Sequence, residues 1–387
     1  MRLRNWMLAT LGIFCMMLAS CNQSEESGNQ PFHEHTWGAP TYVWSVDYSQ
    51  CTATRVCQND NTHLETETVN SIYEEIRAAT VGIEGLGRYT ATFVNTAFTT
   101  QTYDVEIIYH GELPVLSEDE KTLTYGLYPQ TNINDFDLVS KLDTLTIPES
   151  NGWYLYNGEY YAKVSADPYD SSCVFDNGTT IVSGTTYWFK CEPIVWNVLS
   201  NNNGEYYIVS SVLLDARYYY NEAASSRTID GQTVYPNNYK YSDIRTWLNA
   251  YFYNSAFALG NEYIQTTTVD NSAATTENTS NDHACANTED KVFLPSYQDY
   301  INSDYGFSTS TNSTDTRCCR TTDWARARGA YYYTSSGSYQ YNGDYWTRSP
   351  NFHDTRAWLV KGDGGLNGYY IVTYASSVRP ALSVKIA

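Results

Sequence analysis

The C-terminal stretch from Gly343 to Ile386 constrains the fold most, because it predicts a chain that ends inside a β-sheet. Leu382, Val384 and Ile386 alternate with less apolar residues, which is the period of a half-buried strand. Pro380 has no N–H to donate and therefore suits the start or the edge of that strand. The sheet is complete only when this last strand has been synthesised. We expect the rest of a large C-terminal domain to pack around the sheet.

Two Asn-Gly dipeptides predict β-hairpins in the middle of the chain. Asn157-Gly158 separates Trp153–Tyr156 from Tyr160–Lys163, and Asn203-Gly204 also separates two runs of aromatic and β-branched residues. Asn-Gly between two such runs is the strongest short hairpin signal, because both residues tolerate the positive φ of a type I′ turn. The sequence therefore predicts antiparallel pairs in the same domain.

The clearest predicted helix runs from Ser242 to about Phe257. Ser242 is a natural N-cap residue. One apolar stripe with helical spacing is formed by Ile244, Trp247, Leu248, Tyr251 and Phe252. We expect this stripe, including Trp247 as a structural residue, to pack on the sheet.

The first 20 residues have the features of a signal peptide. Arg2 and Arg4 precede Trp6–Ser20, an uncharged run that is too short for a comfortable membrane span. The run ends in Leu18-Ala19-Ser20-Cys21, which resembles a bacterial lipobox. The resemblance implies lipidation of Cys21 and a lipoprotein anchored to the membrane, facing outward in the bacterial cell envelope, with residues 21–32 as a flexible tether. An ordinary secretory signal that happens to contain Cys21 is the alternative.

The charge of the chain limits its partners. The formal net charge is −20, from 43 acidic and 23 basic residues. Such a surface repels nucleic acid, so we expect no nucleic-acid partner. The 37 tyrosines suit exposed sheet faces and adhesive surfaces, because the ring packs while the hydroxyl stays hydrated.

Residues 33–116 are predicted to form a small all-β module. Thr, Val and aromatic residues alternate in short runs, for example in Thr102–Ile108. His35–Trp44, Cys51–Cys57 and Gly87–Phe93 resemble the markers of a repeat that is common in bacterial cell-surface proteins. The resemblance implies a spacer or stalk, present here in one copy.

Four residues of this module have the side chains to serve as zinc ligands: Cys51, Cys57, His63 and either His33 or His35. Their spacing is not that of a standard zinc finger, and we expect any metal bound here to be structural. A Cys51–Cys57 disulfide and two unpaired thiols are the alternatives, since exported proteins form disulfides.

The larger domain is predicted to span residues 121–387. Its short markers are Tyr125–Gln130, Glu192–Leu199, Leu214–Arg217, Ser242–Asn249, Asp290–Leu294, Trp346–Pro350 and Val378–Leu382. Together they resemble a bacterial domain family of unknown function found in secreted and surface proteins. The closing pattern, Trp-x-Arg-Ser and then Val-Arg-Pro-Ala, is similar to that of formylglycine-generating-enzyme and C-type-lectin-like folds. The resemblance implies an α+β fold with irregular loops over a small twisted sheet, and it does not imply their chemistry.

The cysteines of the larger domain are Cys173, Cys191, Cys285, Cys318 and Cys319. With the two of the small module they make an odd number, so one thiol is expected to stay unpaired. Cys173 with Cys191, and Cys285 with one of the adjacent pair, are the disulfides that we expect. Formylglycine-generating enzymes use two cysteines, so Cys318 and Cys319 are also the pair that would support an enzyme of that type.

Acidic residues in the C-terminal loops can contribute oxygen ligands to a calcium site. They are Asp282, Glu289, Asp290, Asp354 and Asp363. They lack the regular spacing of an EF-hand, and solvated acidic loops are the alternative interpretation.

A surface binding protein is the function that these features favour. The Tyr331–Tyr333 run is the predicted contact for a glycan or a protein ligand. We assign no catalytic residue, because no Gly-x-Ser-x-Gly, P-loop or His-Glu-x-x-His motif occurs. A formylglycine-generating type of enzyme and a purely structural envelope protein are the alternatives. Trp346, Arg348 and Arg379 are predicted to be structural, the arginines tying the C-terminal strands to nearby loops.

Overall fold

The computed structural model describes residues 34–81, 83–222, 225–335 and 337–386. The predicted signal peptide (residues 1–20), the tether (residues 21–32), the lipidation site Cys21 and the alternative zinc ligand His33 lie outside these residues. No helix in the described ranges is long and apolar enough to cross a membrane.

The described chain divides into two compact units. The first contains the residues up to Ile72 together with Tyr89–Tyr103, and the second contains Tyr73–Arg88 together with the residues from Asp104 onward. The predicted domains, 33–116 and 121–387, divide the chain at different positions and stay predictions of where independent domains begin and end.

The first unit is built on an antiparallel sheet of three strands in the order β1–β2–β3. They are β1 (Thr41–Trp44), β2 (Gln50–Val56) and β3 (Leu64–Asn70). Residues Cys51 and Ala53 alternate with more exposed neighbours along β2 and point into the core. The small core is completed by Ala91, Phe93 and Phe98.

Three more strands form a second sheet in the order β4–β5–β6. They are β4 (Ile72–Arg77), β5 (Gly85–Ala91) and β6 (Gln101–Ile107). The boundary between the two compact units crosses these three strands.

The second unit contains most of the secondary structure. Its strands are β7 (Val115–Leu116), β8 (Thr122–Asn132), β9 (Tyr154–Tyr156), β10 (Glu159–Ser165), β11 (Thr186–Asn202), β12 (Glu205–Ser210), β13 (Val212–Leu213), β14 (Asp215–Tyr218), β15 (Arg227–Ile229), β16 (Gln232–Val234), β17 (Thr267–Val269), β18 (Thr288–Asp290), β19 (Arg320–Thr321), β20 (Tyr345–Pro350), β21 (Arg356–Val360), β22 (Leu366–Ile371), β23 (Ala375–Val378) and β24 (Ala381–Lys385). Its helices are α1 (Phe136–Leu142), α2 (Asp243–Trp247), a π-helical segment (Leu248–Phe252), α3 (Tyr253–Ala256) and α4 (Asp323–Ala327), with 3₁₀ turns at Tyr239–Tyr241, Ala273–Thr275, Asp299–Ile301, Ser303–Tyr305 and Asp315–Arg317.

The long strand β11 organises the larger of the two main sheets. It pairs with β8 along one edge, and with β10 and then β12 along the other edge. The two predicted hairpins are confirmed: Asn157-Gly158 joins β9 to β10, Asn203-Gly204 joins β11 to β12, and all four residues have positive φ.

The predicted C-terminal strand is also confirmed. β24 pairs with β12 on one side, while Ala381 and Val384 form bridges to Phe293 and Ile264. Pro380 precedes the strand, and its carbonyl accepts a hydrogen bond from Ser210 N–H. β24 is therefore the end strand in this sheet order, and the two bridges cover part of its outer edge.

A second main sheet has five strands in the order β14–β23–β20–β21–β22. β14 is therefore an edge strand, paired antiparallel to β23 with Tyr218 opposite Ala375. The turn between β21 and β22 contains Gly364, whose φ of 79° is a conformation that glycine adopts without steric strain.

The predicted helix is present as one continuous run, α2, the π-helical segment and α3, after Ser242. The Ser242 side chain accepts a hydrogen bond from Arg245 N–H, as expected of an N-cap. Ile244, Leu248 and Phe252 are fully buried. The stripe is narrower than predicted, because Tyr251 is 45% exposed, so the expectation of a core position is wrong for this residue.

The described residues are mostly β-strand with few helices, which is compatible with the α+β class that the sequence predicts and also with a mainly β fold. Aromatic residues dominate the core of the second unit. Trp196 and Trp346, for example, are both fully buried, and each indole N–H donates to a backbone carbonyl oxygen.

Candidate ligand-binding cleft

A buried carboxylate, Asp215, lies at the centre of a polar cluster in the second unit. It is the first residue of β14, and its side chain is fully buried. Its Oδ2 accepts hydrogen bonds from the Tyr128 hydroxyl at 2.7 Å, from Trp324 Nε1 at 3.0 Å and from Arg217 Nη2 at 3.2 Å. Arg328 Nε lies 3.6 Å from Oδ1. A buried charge with this many partners is satisfied rather than strained.

The two arginines keep Asp215 ionised. Burial alone would raise the pKa of Asp215, but the charges of Arg217 and Arg328 and the hydrogen bonds from Tyr128 and Trp324 outweigh it, so the pKa is lowered from its ordinary value. Asp215 therefore holds both guanidiniums in place as an anion at neutral pH.

Arg217 and Arg328 each contact buried Asp215, and each side chain is also partly exposed to solvent. The side chain of Arg217 is 24% exposed and that of Arg328 is 27% exposed. The Arg217 guanidinium carbon lies 4.5 Å from the ring centroid of Trp247, a cation–π contact that fixes its plane. One buried carboxylate serves two guanidiniums, which leaves a local excess of positive charge.

A cleft of about 930 Å³ opens beside the two arginines. Its rim carries tyrosines from separate parts of the chain: Tyr169, Tyr218, Tyr370 and Tyr374. Tyr169, Tyr218 and Tyr374 are 52%, 43% and 56% exposed. Such exposure is unusual for aromatic rings gathered around a concave surface, and it suits contact with a ligand.

The edge position of β14 explains how the tyrosines meet. Because β23 covers only one edge of β14, the backbone beside Arg217 and Tyr218 stays open to the cleft. Tyr374 immediately precedes β23, next to the residue that pairs with Tyr218. On β22, Tyr370 lines the cleft while the adjacent Tyr369 does not, since neighbouring side chains of a strand point to opposite faces.

A smaller pocket of about 320 Å³ shares Arg217 and Arg328 with the cleft. Lys163, Trp247 and Tyr251 line it as well. The exposed part of the predicted helix stripe therefore borders this pocket. The π-helical segment that contains Tyr251 is a type of irregularity that occurs frequently at functional sites.

The predicted Tyr331–Tyr333 contact lies beside the cleft, not in it. The Tyr331 ring packs edge-on against Tyr169, with ring centroids 5.0 Å apart. Tyr332 is buried, and its hydroxyl accepts a 2.7 Å hydrogen bond from Val174 N–H, so its ring cannot serve as a surface platform. Of the predicted Tyr331–Tyr333 run, Tyr331 is therefore the residue that contacts a tyrosine of the cleft.

Arg348 and Arg379 connect the C-terminal strands to other segments. Arg348 donates from Nη1 to Leu294 O and to the Asp299 carboxylate at 2.9 and 2.8 Å. Arg379 donates from Nε to Ser210 O at 3.0 Å and from Nη1 to the Tyr345 hydroxyl at 3.0 Å. Both guanidiniums are thus buried with carbonyl, carboxylate or hydroxyl partners.

The adjacent cysteines do not form an activated pair. Burial, with Asp315 and Asp363 nearby, raises the pKa of Cys318 to about 11. Burial also raises the pKa of Cys319, whose sulfur faces Ser211 O at 3.5 Å. A reactive thiol needs a lowered pKa, so neither environment favours a nucleophilic thiolate. No disulfide joins any of Cys173, Cys191, Cys285, Cys318 and Cys319, all of which are described in the structure.

The predicted zinc ligands separate into two groups. Cys57, His63 and His35 come together, with their ligand atoms all within 4.8 Å of one another. Cys51 instead belongs to the core of the first unit. Cys51 and Cys57 are six residues apart along an extended strand, which places their Cα atoms about 20 Å apart. A disulfide needs a separation below about 7 Å, so the alternative Cys51–Cys57 bridge is wrong.

The acidic residues of the predicted calcium site are engaged in separate interactions. The Asp290 carboxylate accepts from Arg245 Nη2 at 2.6 Å. Glu289 accepts from the Thr268 hydroxyl at 2.7 Å, and Asp363 accepts from Gly365 N–H at 3.0 Å. Asp282 and Asp354 lie near His283 and raise its pKa, although burial outweighs them and lowers it overall.

Sequence reasoning missed the residues that form the cleft. Asp215 and Arg217 are two positions apart, the spacing that puts two side chains on one face of a strand, and this was the only local signal. Arg328, Tyr169 and Tyr374 are distant in sequence, and only the folded sheet brings them to the same place.

Comparison with known proteins finds a family model that matches part of the chain. Residues 206–386 match the family model described as a domain of unknown function (DUF6273). No curated protein and no solved structure matches the chain. The match includes Arg217, Arg328 and Tyr374, and it leaves Tyr169 outside.

Proposed function

We propose that this protein is a lipoprotein of the bacterial cell envelope whose larger unit binds carbohydrate in the cleft formed by the tyrosines and the two arginines. The observation that carries the proposal is the group of exposed rings, Tyr169, Tyr218 and Tyr374, around guanidiniums held by buried Asp215. The predicted lipobox ending in Cys21 supports the location, and the repeat-like markers of the first unit support a role as a spacer.

The chemistry of the cleft suits a sugar ring. A pyranose has a face of C–H groups that can pack on an aromatic ring, and hydroxyls at its edge that accept from charged donors. Tyrosine supplies a flat apolar face with a polar tip, and arginine supplies several N–H donors in one plane. The volume of about 930 Å³ is in the range of small-molecule sites and can hold a short oligosaccharide.

The charge of the cleft points to acidic sugars. The protein as a whole has a net charge of −20, yet the cleft and the adjoining pocket contain three cations, Lys163, Arg217 and Arg328. They face two carboxylates, Asp167 in the cleft lining and the buried Asp215, so one positive charge is in excess. Arginine matches the planar geometry of a carboxylate or a phosphate. Uronic acids, sialic acids and phosphate-substituted envelope glycans are therefore the ligands that we favour. The resemblance of the closing sequence pattern to C-type-lectin-like folds is consistent with this proposal.

A glycan array and purified envelope polysaccharides test the proposal directly. The full-length protein would be compared with the double variant Tyr218→Ala/Tyr374→Ala and with Tyr369→Ala. Tyr369 is 68% exposed on the same sheet but does not line the cleft, which makes it a matched control. Binding that is lost in the double variant and kept in the control supports the proposal. Binding that is equal in all three proteins, or absent from the wild type, contradicts it.

The envelope location has its own test. Cells expressing the protein would be labelled with a tagged fatty acid, and the Cys21→Ser variant would be compared with Cys285→Ser. Label that is present in the wild type and in Cys285→Ser but missing from Cys21→Ser supports lipidation at Cys21. Equal label, or none in any chain, contradicts it.

A further inference from the structure

A second site, unrelated to the cleft, lies in the first unit. His35, Cys57 and His63 place one ligand atom each within 4.8 Å of the other two. Cys57 is buried while both histidines are exposed, so the sulfur forms the floor of the cluster and the imidazoles form its sides. The Asp60 carboxylate lies 3.6 Å from His63 Nε2 at the edge of the same group.

Backbone hydrogen bonds hold the cluster together. The N–H of Cys57 donates to His63 O at 3.0 Å, which closes the loop between β2 and β3. Gln58 N–H donates to Thr36 O at 2.7 Å, and Trp37 forms an antiparallel bridge with Cys57. These bonds hold the segment that carries His35 alongside the end of β2. Backbone pairing therefore brings the three ligand residues together.

Aromatic contacts fix the same segment from the side. The ring of His35 stacks on Trp37 with centroids 5.1 Å apart, and the Arg55 guanidinium carbon lies 4.7 Å from the Trp37 centroid. His35 and His63 contact each other edge-on with centroids 4.9 Å apart. Both imidazoles therefore pack against neighbouring rings before any ion binds.

We propose that His35, Cys57 and His63 bind one zinc ion. Two imidazoles and a thiolate are the donors that zinc prefers over calcium or magnesium. In a tetrahedral zinc site with bonds of about 2.0–2.3 Å, neighbouring ligand atoms are roughly 3.3–3.8 Å apart. A contraction of about 1.0–1.5 Å from the observed limit of 4.8 Å is therefore enough, and exposed imidazoles can move by that much.

The role of this ion is structural. It ties the segment containing His35 to the loop between β2 and β3. Among the described residues, the small core of the first unit has five buried members to stabilise it. Zinc that binds only the folded chain raises its stability by linkage. Binding of Zn²⁺ also requires deprotonated Cys57, so affinity falls as the pH is lowered.

Metal analysis of the full-length protein tests the site. The protein would be dialysed with Zn²⁺ and its metal content measured, and Co²⁺ would then be substituted so that a thiolate-to-cobalt charge-transfer band reports a cysteine ligand. We expect one ion per chain and a charge-transfer band in the wild type. The band should be lost in Cys57→Ser, and the affinity should fall at least tenfold in His63→Gln. Cys285→Ser and His353→Gln, which alter a cysteine and a histidine of the second unit, should match the wild type.

Three outcomes overturn the proposal: no retained zinc, a wild-type cobalt spectrum without the thiolate band, or a band that survives in Cys57→Ser. If Cys57→Ser fails to fold, the wild-type cobalt spectrum and the His63→Gln affinity decide the question alone. None of these measurements depends on the carbohydrate cleft, so the two proposals fail or stand separately.

Discussion

Arg217 donates a 3.2 Å hydrogen bond from Nη2 to Oδ2 of Asp215, and this pair fixes the floor of the cleft. The carboxylate is fully buried, whereas the arginine extends from it to the cleft and rests on Trp247. A guanidinium held in this way loses little side-chain entropy when it binds a ligand. The same ion pair therefore stabilises the domain and orients the Arg217 guanidinium, the proposed ligand-binding group.

Replacing Asp215 by Asn should destabilise the second unit. The amide keeps the shape of the side chain and can still accept from Tyr128, but Arg217 and Arg328 lose their shared anion. Breaking one side of a buried ion pair costs about 3 kcal/mol of unfolding free energy or more. Urea unfolding measures this loss.

The matched control for this variant is Asp282→Asn, which changes an exposed carboxylate. It should alter the unfolding free energy by less than about 0.5 kcal/mol. An Asp215→Asn protein as stable as this control would show that the two guanidiniums do not depend on the buried charge.

Asp344 should make stability depend on pH between about 4 and 6. Burial raises the pKa of Asp344 to about 6 from its ordinary 3.8, although Gly362 N–H donates to its Oδ1. The folded state therefore binds the proton more tightly than the unfolded state does, and the stabilisation by protonation is lost as the pH rises through about 6. The difference in pKa corresponds to about 3 kcal/mol.

The Asp344→Asn variant isolates this effect. It keeps an acceptor for Gly362 but cannot ionise, so it should exceed the wild type in unfolding free energy by about 3 kcal/mol at pH 7.5 and should nearly equal it at pH 4. Urea unfolding at the two pH values gives the comparison. A constant difference between the two proteins across this range would refute the account.

Gly364 should be the least replaceable glycine of the β21–β22 turn. Its φ is 79°, and a Cβ added there would lie 1.9 Å from Thr314 O. Thr314 cannot easily move, because its N–H donates to Asp363 O, and Gly364 O itself accepts from buried Arg317. Gly364→Ala should cost about 3 kcal/mol or more, from left-handed strain and the clash together.

Gly178→Ala separates these two causes. Gly178 has a φ of 82°, but nothing lies within 4 Å of an added Cβ. This variant should cost only the strain of about 1–2 kcal/mol. Thermal or urea unfolding of both variants would show the difference, and equal losses would mean that the contact with Thr314 is unimportant.

The positive charge of the cleft should make the protein bind acidic oligosaccharides more tightly than neutral ones. An oligosaccharide with a carboxylate should bind more tightly than its neutral reduced form, and the preference should shrink at high salt because screening weakens exposed charge pairs. Arg328→Gln should reduce the preference about tenfold, since a hydrogen bond to a charged group contributes about 1.5–3 kcal/mol. Equal affinity of Arg328→Gln and the wild type for the acidic ligand would exclude this residue from the contact.

The sequence predicted local elements well where a short run of neighbouring residues determines the structure. The Asn-Gly turns and the Ser242 cap depend on neighbouring residues only, and both appear in the structure. The last strand also forms, but every residue from Ala381 to Val384 is buried, so the expectation of a half-buried strand is wrong. Tyr251 belongs to the predicted apolar stripe of the helix, yet it is exposed. Helical spacing identifies the stripe, but it does not show which part of the stripe other elements cover.

The sites were harder to predict, because tertiary pairing assembles them. Cys51 and Cys57 look equivalent as ligands in the sequence, yet the extended strand carries them to different places. The Tyr331–Tyr333 run is conspicuous in the sequence, whereas the cleft uses isolated tyrosines that are adjacent only after β14 and β23 have paired.

Calorimetric titration of the full-length protein with an acidic oligosaccharide from the array tests the central claim most directly. The account predicts saturable binding with one site per chain. Tyr374→Ala should bind about fivefold more weakly or worse, since an aromatic contact contributes about 1 kcal/mol, and Tyr369→Ala should bind like the wild type. Unchanged affinity in Tyr374→Ala, or no heat of binding from any acidic or neutral glycan, would contradict the assignment of this cleft as a carbohydrate site.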